Sequence, residues 1–572
     1  MVDTVREIER KYEATAGSRD LPPLPDLTGV DGIAAVAGQG TALLDAVYYD
    51  TAGRRLAADG ITLRRRTGGA DAGWHLKLPV SAGVRDEIRA PLGEGIPRRL
   101  AVLVRSRTRG AELAPVVRIR SERDVHRLLG ANGEPVAELS VDRVTAERPE
   151  TGATARWAEV EVELSAGAEP AVLDAVEAAL TASGLRRSAA ASKLARALAE
   201  TDEDAAGKAA GKKVKGGKKS GSSKSSKSSK DGRSAEVVKG VKGSKDSKGS
   251  KDAKGSKGGG KQRPAEQPPT PPKPPKPPKS PKALKPAARP AGDLVLDYVR
   301  AQVTALIELD PAVRRDQPDA VHQMRVSCRR LRSTFRGYRA VLDRTRTDPV
   351  AAELRWLAGE LGVDRDREVL TERIHAGLAE LDRPLVLGPV RGRLRTWSAA
   401  RRTGSRRRIV AVLDGRRYLA LLDALDGLLA APPLRAAADR PAEPVLRKAV
   451  DRQYRRFAGS LQETFDLAPG PDRDTAIHET RKSAKRTRYA AEVARPVLGR
   501  EARIAVAVMR EVQDLLGDYQ DGVLARAALR EIGVQAHAAG EPSFTYGVLY
   551  AREEARAAAL RDRLPRLSRQ HL

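Results

Sequence analysis

A stretch in the middle of this 572-residue chain divides it into two regions of different character. Residues 201–290 run through GSSKSSKSSK and SKDSKGSKDAKGSKGGGK into PPTPPKPPKPPKSPK. Such a composition cannot bury enough apolar surface to offset the entropy that is lost on ordering. We therefore expect a disordered linker over residues 201–292, extended where Pro dominates, that lets the flanking domains move independently.

This linker also carries more than half of the net positive charge. The chain has a net charge of +29, and residues 201–290 hold 25 Lys and Arg against 8 Asp and Glu. An excess of this sign favours a polyanionic partner such as nucleic acid, anionic lipid or inorganic phosphate chains. Aromatic residues make up only 3% of the chain. That shortage weakens the nucleic-acid interpretation, because sequence-tolerant single-strand binders stack bases on aromatic side chains.

The cysteine content and the distribution of apolar residues indicate the cellular compartment of the protein. Cys328 is the single cysteine, so no intrachain disulfide can form. The first residues, MVDTVREIERKYEA, lack the apolar core of a signal peptide, and no apolar run is long enough to span a bilayer. We expect a cytoplasmic protein without a membrane partner.

Residues 1–200 predict an α+β domain. Polar and apolar residues alternate in short segments bounded by Gly and Pro, which is typical of β-strands joined by turns. A helical pattern, AVLDAVEAALTASG, follows late in the region. The alternating segments are VREIERKY, GITLRRR, AGWHLKLPV, VRDEIRAPL, PVVRIR, PVAELSVDRV and WAEVEVEL.

In these segments the charged residues share one strand face, and they are sorted by sign. The first and last segments are acidic and the middle ones basic. A sheet face in contact with water would explain the charged face of any single strand. It explains less well why the charged residues share one face in all the strands. A closed barrel with a charged lumen would place acids, which hold divalent cations, opposite bases, which hold phosphate oxygens. That arrangement suits metal-assisted phosphoryl transfer.

The use of lysine singles out two positions. Outside residues 201–290 the chain has only six lysines, of which Lys11 and Lys77 fall on the charged strand face. Lysine is a compact point charge whose pKa shifts readily, whereas arginine stays protonated. A site that needs a proton acceptor or a narrow contact would therefore keep Lys.

The segment Glu7-Ile8-Glu9-Arg10-Lys11 resembles the ExExK signature of the CYTH, or triphosphate tunnel, family. The resemblance covers most of residues 1–200, because further motifs follow in order: YYDT at 48–51, LRRR at 63–66, LKLP around Lys77, RIR at 118–120, LSVDRV around Asp142, EVEVEL from Glu159 and SKLARAL from Ser192. It implies an eight-stranded antiparallel tunnel barrel that uses Mg²⁺ or Mn²⁺.

The resemblance also implies roles for residues of the barrel. Lys11 is the candidate catalytic residue, which orients or deprotonates the attacking water. The metal candidates are Glu7, Glu9, Asp142, Glu159, Glu161 and Glu163. The substrate contacts are Arg64, Arg66, Lys77, Arg85, Arg118, Arg120 and Lys193.

Residues 293–572 are rich in Ala, Leu and Arg at helical spacing, which predicts an all-α domain of eight to ten helices. One motif occurs twice, as VHQMRVSCRRLRSTFRGYR and as IHETRKSAKRTRYAAEV, and each copy places a His and three bases on one helix face. An LG-x-x-x-D element follows each copy, which indicates internal duplication. A basic helical stripe is usually a solvated face, but the repeat favours two helices facing one groove.

This pattern resembles the CHAD family over about residues 293–540, which implies a fold of two pseudo-symmetric helical bundles that binds polyphosphate, and suggests association with polyphosphate granules. Glu368 departs from the family's RDxD pattern. Cys328 is expected to be a small packed residue rather than a nucleophile. The polyphosphate-binding candidates are His322, Arg325, Arg329, Arg330, Arg332, His478, Arg481, Lys482, Lys485, Arg486 and Arg488.

Together these features predict a metal-dependent triphosphatase (residues 1–200) joined to a polyphosphate-binding helical domain (residues 293–572). Inorganic tripolyphosphate or a related triphosphate is the expected substrate. The alternatives are a polyphosphate-anchored scaffold without catalysis, and a protein that associates with nucleic acid through its Lys-rich linker.

Overall fold

The computed structural model describes residues 4–14, 21–202, 289–362, 365–402, 405–468 and 470–571. The disordered linker predicted for residues 201–292 falls mostly on residues 203–288, which lie outside these ranges. None of the described helices combines the length and the apolar character that a bilayer crossing requires.

Nine strands form the N-terminal sheet. They are β1 (Thr4–Ala14), β2 (Ala35–Asp50), β3 (Thr62–Thr67), β4 (Gly73–Ser81), β5 (Val84–Ala90), β6 (Ala114–Leu129), β7 (Pro135–Glu147), β8 (Thr154–Leu164) and β9 (Leu185–Arg187). Seven of them coincide with the predicted alternating segments. The long strand β2 was missed, because AVAGQGTALLDAVYYD shows neither clear alternation nor charges of one sign.

The sheet closes into the predicted eight-stranded antiparallel barrel. Its order is β5-β4-β3-β2-β6-β7-β8-β1-β9, and a further pairing of β5 with β1 completes the ring of eight. Lys11 of β1 lies opposite Glu161 of β8, and Glu9 lies opposite Glu163. Successive side chains of a strand point to opposite faces, so each strand sends alternate residues into the lumen.

Helices cover the barrel and its end. They are α1 (Arg55–Ala58), α2 (Arg98–Ala101), α3 (Arg105–Thr108), α4 (Ala171–Ala182) and α5 (residues 193–202). Helix α4 packs its apolar side, including Leu173 and Val176, on the outward residues Val160 and Val162 of β8. Helix α5 contributes Leu194 and Leu198 to a buried cluster with Tyr48 and Trp157. This packing fixes the start of α5, and with it Lys193.

The C-terminal region is helical. Within its described residues it comprises α6 (Ala291–Arg314), α7 (Ala320–Gly337), α8 (Arg344–Glu360), α9 (Arg365–Ala379), α10 (Val390–Arg402), α11 (Ser405–Asp414), α12 (Arg416–Ala430), α13 (Ala442–Asp466), α14 (Pro471–Ala538) and α15 (Phe544–His571). Helix α14 consists of two segments that meet at Gly499, whose φ of 50° interrupts the helix.

Helix α14 contributes to three hydrophobic cores of the helical domain. The largest core joins α6, α7, α8, α11 and α12 to parts of α13 and α14, and Cys328 is buried in it. Burial raises the pKa of the Cys328 thiol to about 12, in keeping with the expected packing role. Two further cores join α9 and α10 to α14 and α15, and α13 to α14 and α15.

The barrel and the helical domain are in direct contact, which differs from the expected independence of the two domains. Arg105 donates a hydrogen bond of 3.1 Å to the carbonyl of Asp414, and Arg109 lies 2.7 Å from a carboxylate oxygen of Asp426. Arg315 in turn reaches Asp86 of β5 at 3.0 Å. The length of the linker indicated freedom, whereas these polar contacts join the two regions directly.

Candidate functional site

The barrel lumen holds a strongly charged cavity of about 550 Å³. Its lining includes ten Lys or Arg and seven Asp or Glu residues. The alternation of the strands contributes to this concentration, since the opposite face of β8 packs Val160 and Val162 into an apolar core. The expected charged lumen is therefore present.

A buried acidic triad reaches this cavity through Glu161. Asp142 of β7 and Glu159 and Glu161 of β8 are buried, and each offers a carboxylate oxygen within 4.8 Å of the others. The ammonium of Lys193 lies among them, 2.9 Å from Asp142, 2.8 Å from Glu159 and 2.7 Å from Glu161. Arg123 of β6 donates hydrogen bonds to Asp142 and Glu161.

These cations favour the ionised forms of Asp142 and Glu161. Although burial opposes ionisation, Lys11, Lys193 and Arg123 hold the pKa of Glu161 well below its usual value. The pKa of Asp142 is also lowered, by Lys193 and Arg123 against the same burial. Burial disfavours the ammonium of Lys193, yet the three carboxylates raise its pKa. Asp142 and Glu161 are thus held in their ionised forms, and neighbouring cations compensate their charge.

The triad fits a divalent metal ion. Hard cations such as Mg²⁺ prefer carboxylate oxygens. Among the described residues no other group of His, Cys, Asp or Glu brings three ligand atoms so close together. Asp142, Glu159 and Glu161 are therefore the residues that would hold the ion.

The other three predicted metal ligands, Glu7, Glu9 and Glu163, line the cavity but lie outside this triad. Glu7 lies 2.5 Å from the ammonium of Lys77, and Glu9 lies 3.8 Å from Arg85. Burial, and then repulsion from Glu7, raise the pKa of Glu163 to about 7. These acids form a second acidic group on β1 and β8.

A basic group stands beside the acids. Arg64 and Arg66 project from β3 into the cavity, which Arg123 and Lys77 also line. Burial, followed by repulsion from Arg64 and Arg123, lowers the pKa of Arg66 to about 9. Guanidinium groups that destabilise one another in this way would be stabilised by a bound anion.

Lys11 connects the two acidic groups. Its ammonium lies 3.3 Å from Glu9 and contacts Glu161. Burial opposes its charge, but Glu161 and Glu9 raise its pKa above the usual value. A raised pKa favours the orienting role over the deprotonating one, because a base must release its proton near neutral pH.

The sequence motifs misassigned two arginines of β6. Arg118 and Arg120 lie on the outer face with largely exposed side chains, 2.5 and 3.7 Å from Asp45. They do not line the lumen, whereas Arg123, which was not among the predicted residues, does. Both phases of RIRSERDVHR contain charges, so alternation alone could not identify the inner face.

A buried histidine is a further feature that the motifs did not assign. His75 of β4 lies 2.9 Å from Glu87 through Nδ1 and 2.9 Å from the carbonyl of Asp71 through Nε2. Burial lowers the pKa of His75 to about 4. Its place on the charged strand face was the signal that could have found it.

In the helical domain the two motif copies lie on α7 and on the first segment of α14, which pack together. The charge of Arg329 on α7 repels the ammonium of Lys485 on α14. Burial lowers the pKa of Lys485 to about 7, together with repulsion from Arg481, Arg329 and Arg488. Among the described acids, Asp521 offsets part of this repulsion. We call the surface formed by Arg325, Arg329, Arg332, Arg481, Lys485 and Arg488 the basic groove.

Arginines that were not among the predicted binding residues extend this positive region. Burial and Arg355 lower the pKa of Arg332, and burial and Arg336 lower the pKa of Arg486. Arg456 of α13 adds to the repulsion on Arg486. Only the packing of α8 and α13 beside the motif helices brings these cations together.

The other predicted polyphosphate-binding residues do not belong to the basic groove as defined above. Arg330 donates a 3.0 Å hydrogen bond to Glu492. Lys482 is exposed and bonds Glu479 at 2.7 Å. His322 and His478 are half-buried at their helices, and burial lowers the pKa of His478. The side chain of Glu368 lies outside the described residues.

Comparisons with known proteins agree with this division. The CYTH domain family matches residues 6–198, and the CHAD domain family matches residues 297–530. An uncharacterized protein of Mycobacterium tuberculosis is 34% identical over 98% of this chain and 94% of its own length.

Solved structures resemble single parts of the chain. PptA from Streptomyces chartreusis is 22% identical, with a TM-score of 0.41, over 49% of this chain and 99% of its own. The CHAD domain from Ricinus communis is 23% identical, with a TM-score of 0.38, over 49% of this chain and 92% of its own. The two domain matches lie in this order along the chain, and the relative from Mycobacterium tuberculosis aligns with nearly its whole length. The chain therefore belongs to the family of proteins in which a CYTH domain is followed by a CHAD domain.

Proposed function

We propose that the barrel is a metal-dependent triphosphatase acting on inorganic tripolyphosphate or a related triphosphate. The observation that carries this proposal is the buried acidic triad of Asp142, Glu159 and Glu161, which reaches the cavity of about 550 Å³ through Glu161, where the basic group also lines the wall. Phosphoryl transfer depends mainly on positioning and on neutralising charge, which such a cavity supplies.

The residues divide the work by their chemistry. Arg64, Arg66 and Arg123 bind phosphoryl oxygens, and their planar forks suit that contact. Lys11, held as an ammonium, positions the attacking water. A cation held by the triad would supply charge neutralisation at the phosphate chain.

Phosphate release by the purified full-length chain tests the proposal. Tripolyphosphate, thiamine triphosphate, ATP and long polyphosphate are compared with Mg²⁺, with Mn²⁺ and with chelator. We expect turnover of a short triphosphate that requires the metal and is lost in Asp142→Asn. Glu122→Gln, which changes an exposed acid on β6, is the matched control and should retain activity. Turnover that survives both the chelator and Asp142→Asn would contradict the metal-site assignment.

We also propose that the helical domain binds long inorganic polyphosphate in the basic groove. The supporting observation is the lowered pKa of Lys485, which reflects cations from both motif copies at one place. A linear polyanion that contacts both helices would relieve this repulsion. In this proposal the helical domain holds the polymer and the barrel acts on triphosphate.

Neutralising Arg325, Arg329 and Arg332 together tests the groove. Arg406, Arg407 and Arg408 serve as the control, because they are exposed on α11 and remove the same charge. At near-physiological salt, where diffuse attraction is screened, we expect the groove variant to lose roughly tenfold or more in affinity and the control to lose little. Equal losses would mean that only the total charge matters.

The same measurements separate the alternatives. Polyphosphate binding without turnover of any triphosphate would favour the scaffold. Tighter binding to DNA than to polyphosphate at equal salt would favour the nucleic-acid interpretation.

A further inference from the structure

A glycine of α14 has an unusual neighbour. Gly517 lies inside a helix, where glycine is the least favourable residue apart from proline. The guanidinium of Arg481 covers the side of Gly517 where a side chain would begin. Arg481 Nη2 lies 2.6 Å from the position that a Cβ would occupy, and Cζ lies at 3.2 Å.

The other half of the helical domain repeats this arrangement. Gly362 follows α8, and the guanidinium of Arg325 lies against it. Arg325 Nη2 is 2.8 Å and Cζ 3.1 Å from the position of a Cβ on Gly362. Arg325 and Arg481 are equivalent in the two motif copies, and Gly362 and Gly517 are the glycines of the two LG-x-x-x-D elements.

Neighbouring helical glycines lack such a contact. A Cβ on Gly359 of α8 or on Gly337 of α7 would meet nothing within 4 Å. The nearest such atoms at Gly522 of α14 lie farther away, at 3.2 Å from Glu553 and 3.4 Å from Arg373, so the approach below 3 Å distinguishes Gly362 and Gly517 from these glycines.

Arg481 belongs to the basic groove, because its charge is the largest electrostatic contribution that lowers the pKa of Lys485. Asp521, one turn after Gly517, interacts electrostatically with both Arg481 and Lys485. A methyl group on Gly517 would push the guanidinium of Arg481 away from this arrangement without removing any charge from the protein.

We propose that Gly362 and Gly517 are positioning residues of the polyphosphate site, each leaving the space in which a groove arginine lies against the backbone. This inference rests on the proposed binding of polyphosphate. It explains why α14 keeps a glycine at position 517, where alanine would make a better helix.

The test is Gly517→Ala in the full-length chain, with the affinity for long polyphosphate and the Tm as readouts. Alanine favours the helix, so we expect the Tm to stay equal or rise. Affinity should fall about tenfold, as on loss of one charge-assisted contact. Gly362→Ala should also lose affinity, whereas Gly359→Ala should lose none.

A double-mutant cycle separates positioning from general damage. In an Arg481→Ala background, Gly517→Ala should cause little further loss, because the displaced group is already absent. Unchanged affinity in Gly517→Ala, or full additivity in the cycle, would overturn the inference. Failure of the unmodified chain to bind polyphosphate would instead overturn the proposed function, so the two failures are distinguishable.

Discussion

Lys193 Nζ lies 2.9 Å from Asp142 Oδ2, inside the acidic triad that would hold a metal ion. The same ammonium reaches Glu159 and Glu161. The family resemblance implied a phosphate contact for Lys193, whereas the structure gives it three carboxylate partners. A cation bound by the triad must compete with this ammonium, and a phosphate chain would offer the displaced lysine a new partner.

Replacing Lys193 with methionine should therefore strengthen metal binding when substrate is absent. Removal of a buried positive charge at this distance should increase the affinity for Mn²⁺ by roughly tenfold or more. Mn²⁺ titration and the metal-dependent rise in Tm measure the effect. Arg196→Met is the matched control, because Arg196 lies one turn along α5 and pairs with Glu13 and Glu200. An affinity no higher than that of the control would show that Lys193 and the ion do not compete.

The three arginines of β6 should differ sharply in their effect on catalysis. Arg123 lines the cavity and bonds Asp142 and Glu161, whereas Arg118 and Arg120 lie on the outer face. We expect Arg123→Gln to lower kcat/KM by roughly 10²-fold, the scale for one lost charge-stabilising donor. Arg118→Gln and Arg120→Gln should each stay close to the unmodified rate. A loss in the outer variants equal to that in Arg123→Gln would contradict the assigned faces.

Lys11→Arg should not be a conservative change. Lys11 lies between Glu9 and Glu161 with little exposed surface, so the larger guanidinium would shift the groups around it. Misplacement of about 1 Å in an active site can cost roughly 10²-fold, and we expect most of the loss in kcat rather than in KM. Steady-state kinetics with tripolyphosphate distinguish the two. Normal kcat in this variant would remove Lys11 from the chemistry.

Polyphosphate affinity should depend on the protonation of Lys485. Burial, Arg481, Arg329 and Arg488 lower its pKa to about 7, with Asp521 opposing them. The ammonium is therefore lost as the pH rises through 7, while a polyanion binds the charged form. Affinity should fall between pH 7 and pH 9, by up to roughly tenfold per pH unit. Lys485→Arg stays charged in this range and should show a flatter profile; identical profiles would exclude Lys485 as the titrating group.

Much of the fold followed from local pattern. Alternation identified seven strands and placed Glu7, Glu9 and Lys11 on one face of β1, because strand geometry alone fixes that relation. Strand β2, which the sequence pattern did not predict, shows the limit of alternation as a signal. Its residues form a strand because they pair with β3 and β6, and not because they alternate between polar and apolar.

The sequence by itself determined the two-domain layout, the charged strand faces and the duplicated helical motif, since each depends on composition or on spacing within one element. Tertiary structure decided which charges meet. Asp142 and Glu161 come from different strands, and Lys193 from a helix, so their distances depend on how the barrel closes and where α5 packs. Likewise Arg329 and Lys485 meet only because α7 packs on α14. Periodicity fixes the face of a residue on its own element, and packing alone chooses its partners.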